Sequence, residues 1–141
     1  MNFTQICKAF DEVSKISSTN EKVEWLKNHD DRDFKEVLAW YLDNSRITGI
    51  AEKKFDKVAA ASDAGCFVTQ DVKTFADVIH YFDSHNTGKD EDVAYVKWLG
   101  QQICPGIDEM DTFRKLVCKN FPMGLKDGLV NKAFPGFVSW N

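Results

Sequence analysis

The sequence predicts an all-α fold, a compact bundle of six or seven helices, on three observations. Apolar residues recur at spacings of three and four, capping residues precede those runs, and prolines follow them. Phe3, Ile6, Phe10 and Val13 form the first stripe. Ser18 with Glu21 three residues on has the capping-box pattern that opens the second helix. Asp30 or Asp31 caps a third, striped by Phe34, Val37, Leu38 and Tyr41. Thr69 precedes another, striped by Phe75, Val78, Ile79 and Phe82. Asp90, Glu91 and Asp92 load a first turn with negative charge, which the positive end of a helix favours, ahead of Val96, Leu99 and Ile103. The last stripe is Phe113, Leu116 and Val117. Cys104-Pro105-Gly106 and Asn120-Phe121-Pro122 are stops, because proline lacks the N–H that a helix needs and disfavours helix in the residue before it. Alternation never runs far enough for a strand, and Cys66-Phe67-Val68 is too short to count.

With 141 residues, 43% hydrophobic and 28% charged, the chain is expected to form a single domain over 1–141 and to avoid disorder. No run of about 18 apolar residues occurs, and Met1-Asn2-Phe3-Thr4-Gln5-Ile6 lacks the basic and apolar regions of a signal peptide. The expectation is a soluble, cytoplasmic protein with no membrane partner. Cys7, Cys66, Cys104 and Cys118 form no C-x-x-C pair and have no histidine at ligand spacing, so free thiols are expected rather than a metal site. The net charge of −4 argues at first against nucleic acid, but it is uneven. Residues 1–111 carry 13 lysines and arginines against 21 carboxylates, whereas residues 112–141 carry five against Asp127 alone. That basic segment is either a solvated helix face or an anion-binding surface.

Within it lies Phe121-Pro122-Met123-Gly124-Leu125-Lys126-Asp127-Gly128-Leu129-Val130-Asn131-Lys132, with two glycines four residues apart. Glycine lets a nucleic-acid strand approach the backbone, helix N-terminal N–H groups point at an anion, and lysine adds charge. The pattern is also loosely similar to a helix-hairpin-helix, which grips backbone phosphates in this way. Plain turn chemistry is the competing reading.

The run from Asp111 to Phe137, above all Gly128-Leu129-Val130-Asn131-Lys132-Ala133-Phe134-Pro135-Gly136-Phe137, resembles the end of the N-terminal DNA-binding domain of T-even-type bacteriophage ATP-dependent DNA ligases. In that family a helix ending near a cysteine, here Cys118, precedes a glycine-bearing turn and an Asn-Lys-x-aromatic-Pro-Gly signature, here Asn131 to Gly136. Ser45-Arg46 and Lys53-Lys54-Phe55 are similar to Tyr-Ser-Arg and Lys-Lys-Trp stretches of the family. The resemblance implies a helical domain lying across a nick in double-stranded DNA, touching phosphates and the minor groove without reading sequence. Two further domains then close the ring for nick sealing in replication and repair.

What the resemblance does not carry over is catalysis. The family's nucleophile sits in Lys-x-Asp-Gly, and Lys126-Asp127-Gly128 lacks the intervening residue. No nucleotidyltransferase domain is expected in the chain, and no cofactor; ATP and magnesium are implied only for a complete ligase. The chain alone is therefore not expected to be an enzyme. Expected phosphate contacts are Gly124, Lys126, Gly128, Asn131 and Lys132, then Arg114, Lys115 and Lys119 on the preceding helix, and Arg46, Lys53 and Lys54 beyond the nick. The rival expectation is a protein-interaction or regulatory module that docks a catalytic ligase domain on another chain without binding DNA. His29, His80 and His85 follow no nucleophile motif, and Tyr81 to Gly88 lacks calcium-loop spacing.

Overall fold

Asn2 opens α1 (Phe3–Ser14): its side chain accepts the Gln5 N–H at 2.9 Å, while the Gln5 side chain accepts the Asn2 N–H at 2.9 Å. The same logic opens α2 (Thr19–Lys27), where Ser18 accepts from Glu21 N–H, and α3 (Arg32–Leu42), where Asp31 accepts from Asp33 and Phe34. The fourth helix, α4 (Glu52–Lys57), has no side-chain cap. Its far end is closed by Lys97, whose ammonium donates to the carbonyls of Phe55 at 2.7 Å and Val58 at 2.6 Å. Thr74 precedes α5 (Phe75–Phe82), and Asp77 accepts its N–H at 3.2 Å. Three acids open α6 (Asp90–Ile103), Gly106 precedes α7 (Ile107–Val117), and Lys126 precedes α8 (Asp127–Ala133).

In this computed structural model the described residues are 2–61, 74–122 and 124–138, and among them are eight helices and no strand. The all-α expectation therefore holds, and the expected six or seven helices become eight. Thr69, Cys66 and the Cys66-Phe67-Val68 run lie outside the described residues.

The chain divides into two compact units, one made of 1–45 with 122–141 and the other of 46–121. In the first, α1 packs on α3 and α2 on α8. Phe10 and Phe34 meet at its centre with ring centroids 5.0 Å apart, both fully buried with Val13, Leu26, Leu38 and Trp40. Tyr41, expected on the α3 stripe, is only half-buried; Trp40 is the buried aromatic there. In the second unit α6 packs against α4, α5 and α7. Its core includes Phe75, Ile79, Phe82, Leu99, Phe113 and Leu116. Phe75 and Phe113 meet edge to face at 5.6 Å.

One backbone crossing and a buried hydrogen bond fix the second unit. Gly49 and Gly88 both have positive φ, 73° and 72°, and their main chains touch. A Cβ on Gly49 would lie 2.8 Å from Gly88 N, and one on Gly88 would overlap the Gly49 carbonyl. Beside this crossing Thr48, a buried polar residue, donates its hydroxyl to the Val117 carbonyl at 2.6 Å, satisfying one end group of α7. That helix ends in a Schellman arrangement: Asn120 N–H reaches the Lys115 carbonyl at 2.8 Å and Lys119 N–H the Leu116 carbonyl at 3.0 Å. The left-handed residue is Lys119, at φ 51°, where glycine is the usual occupant. Lys119→Gly is expected to stabilise the fold by about 1 kcal/mol, seen as a higher urea midpoint with an unchanged slope. A lower midpoint would mean that the Lys119 side chain outweighs its backbone strain.

Candidate nucleic-acid interface

The division into units redistributes the charge. Arg114, Lys115 and Lys119 belong to the second unit, Lys126 and Lys132 to the first, and each unit carries a net charge of −2. The basic C-terminal segment is therefore not one basic lobe.

In the second unit the fold brings two separated parts of the expected site onto adjacent helices, because α4 packs on α7. Arg114 on α7 grips α4: its Nε donates to Asp56 Oδ1 at 2.7 Å, and Nη2 donates to Asp56 Oδ2 at 2.8 Å and Glu52 Oε2 at 3.4 Å. The guanidinium beside it holds the Asp56 carboxyl below the usual carboxylate range. This tie is complete above the ordinary aspartate pKa and is lost as pH falls through the lower folded value. Asn120 donates to the same Glu52. Lys115 pairs with Asp111 at 3.1 Å, Lys54 with Asp90 at 3.2 Å, and Arg46 with Asp83 at 3.2 Å.

Lys53 differs from these. It is exposed, without an ion pair among the described residues, and so is Lys57 one turn along. At i and i+4 the two share the outward face of α4. Lys57, which the sequence reading did not include, adds to this exposed basic face; the signal was its spacing from Lys53 on a helix too short to show an apolar stripe.

In the first unit Lys126 and Lys132 are exposed at either end of α8, also without an ion pair among the described residues. Gly128 shares a face with Lys132, one turn away, and a Cβ there would meet nothing within 4 Å. That stretch of helix surface is bare backbone beside a lysine. The expected helix N-terminal cradle is weaker than the sequence suggested, because Asp127 already places a carboxylate in the first turn. Gly124, at φ 67°, has its carbonyl taken by the Lys22 ammonium at 3.1 Å. Lys22 lies a hundred residues away in the chain, which is why sequence spacing could not find it.

Asn131 is turned inward. Its amide donates to the Val138 carbonyl at 3.0 Å and accepts the Val138 N–H at 2.7 Å, as a neighbouring strand would. Between them Phe137 N–H bonds the Phe134 carbonyl at 3.0 Å across Pro135 and Gly136, the latter at φ 75°, the sequence and geometry of a type II turn. Lys35 caps this turn, 4.5 Å from the Phe134 ring centre and 5.5 Å from that of Phe137, while pairing with Asp30 at 2.9 Å. The Asn-Lys-x-aromatic-Pro-Gly run thus divides by role: Asn131, Phe134, Pro135 and Gly136 build the turn, and Lys132 faces solvent.

Other chemistry finds little support. Cys7, Cys104 and Cys118 are free thiols. Burial pushes Cys104 up to about 12 and Cys118 up to about 11, away from thiolate reactivity. Ser84 and His85 do meet, with Oγ 3.0 Å from Nδ1, but Nδ1 is also 3.1 Å from the Tyr81 carbonyl. A carbonyl only accepts, so Nδ1 is shared with a competing partner and is not committed to Ser84. His29 likewise faces the Trp25 carbonyl at 2.6 Å and stacks on the Trp25 ring. Among the described residues no group of three or more His, Cys, Asp or Glu side chains is placed to hold a metal ion, and no helix is long and apolar enough to cross a membrane. No family model, curated protein or solved structure matches this chain.

Proposed function

We propose that this chain binds double-stranded DNA independently of sequence, as a ligase-type N-terminal domain that positions a nicked duplex for a catalytic domain elsewhere. The observation that carries the reading is the α8 surface. Lys126 and Lys132 stand exposed there beside the bare backbone of Gly128, within the segment that resembles the ligase signature. Contacts of this kind fix register on a duplex and carry no base information. Lys53 and Lys57 on α4 supply a second pair of phosphate contacts. Asn131 and Arg114 enter indirectly, the first by shaping the signature turn and the second by joining α4 to α7.

The test is salt. About four neutralised phosphates, one for each of these lysines, give a log–log slope of roughly −3.6, at about −0.9 for each. Affinity for a nicked duplex that stays flat between low and moderate salt would sink the proposal. A second reading, a module that docks a protein partner without retaining DNA, is favoured by Ile107, which is 87% exposed in the acidic first turn of α7. Tight binding to a separate catalytic ligase domain, with no DNA retained, would select it.

A further inference from the structure

A basic surface that is to receive phosphate should not keep a carboxylate beside it, yet the second unit does so. Asp56 lies between Lys53 and Lys57 in sequence and takes both near-parallel N–H groups of Arg114. Those two donors are the fork that a guanidinium offers equally well to a phosphodiester. We infer that Asp56, assisted by Glu52, is an internal phosphate mimic that keeps Arg114 closed until a backbone phosphate displaces it. The Arg114–Asp56 pair then gates the α4–α7 surface instead of adding a standing contact. This inference rests on the DNA-binding reading and names the regulation of that same site.

Three features make the exchange physically reasonable. The Asp56 side chain is 56% exposed and that of Arg114 26%, so an arriving phosphate can reach the pair from solvent. Exposed Lys53 and Lys57 raise the local concentration of an arriving anion, and the guanidinium finds an equivalent partner when it turns. The helices do not depend on this pair alone. Asn120 still holds Glu52, Lys97 still closes α4, and Phe55 stays in the core.

The experiment is a binding cycle on the whole chain with a nicked duplex of mixed sequence at fixed salt. Asp56→Asn keeps an oxygen for Arg114 but removes the charge. It should bind about tenfold tighter, because the same phosphate takes Arg114 without first displacing a carboxylate. The gain should vanish in Asp56→Asn/Arg114→Gln, because the released arginine is its source. A gain that persists in the double variant would reflect bulk charge and overturn the gate. In the wild type, the Arg114 Nε–H resonance should shift as the duplex saturates the protein; an unmoved resonance overturns the gate even if Asp56→Asn fails to fold. Wild type that binds DNA no more weakly than Asp56→Asn removes the gate alone. Absence of binding by every variant removes the DNA-binding reading with it.

Discussion

Reversing charge at Lys126 and Lys132 together is expected to weaken binding to a nicked duplex by at least about a hundredfold. Each lysine gives up a charge-assisted contact, and two losses of about 1.5 kcal/mol already amount to roughly that factor. The new glutamates add repulsion of their own. The fold should survive, because both side chains are exposed and have no ion pair among the described residues. Circular dichroism checks that point, and fluorescence anisotropy at low salt reads the affinity. An intact variant that binds DNA as the wild type does would take the interface off α8. Under the docking alternative the same variant keeps its protein complex.

Gly88→Ala is expected to be the most damaging single substitution in the second unit. At φ 72° an alanine pays roughly 1–2 kcal/mol for the left-handed backbone alone. Its methyl would also overlap the main-chain carbonyl of Gly49, which has no rotamer through which to retreat. A combined loss on the order of 3 kcal/mol or more lowers the melting midpoint by more than about 10 °C in a unit of this size. Gly100→Ala is a useful comparison, since its Cβ would meet the buried Phe113 ring at 2.7 Å, a side chain and not main chain. A Gly88→Ala midpoint within a few degrees of wild type would show that the two loops part freely.

The long amphipathic helices were readable because their stripes repeat: Phe3, Ile6, Phe10 and Val13 are all buried, as are Phe113, Leu116 and Val117. Caps were legible for the same local reason, since Ser18 and Asp31 act on N–H groups within three residues. The six-residue α4 escaped notice because it buries a single residue, Phe55, and one residue has no period. In the candidate site, the exposed character of Lys53, Lys126 and Lys132 fits the sequence expectation, whereas Arg114 and Asn131 looked equally available and are not. Nothing local distinguishes them. Arg114 is claimed by a carboxylate 58 positions away, and Asn131 by a backbone pair beyond a turn.

The make-up of the two units bears on the order in which the chain folds. Residues 46–121 are continuous, so that unit has every helix it needs once its own segment has been synthesised. The other unit waits: α2 must keep its apolar face until α8, which follows the whole of the second unit in the chain, has been made. Closing so long a loop costs little more than closing a short one, because the entropy grows only with the logarithm of length. The delay is kinetic, and during it α1 to α3 present Leu26 and Phe34 without the partner that completes their core. The same late segment holds Lys126 and Lys132, so the α8 surface proposed to meet DNA forms only after the residues that build α1 to α7 have been made.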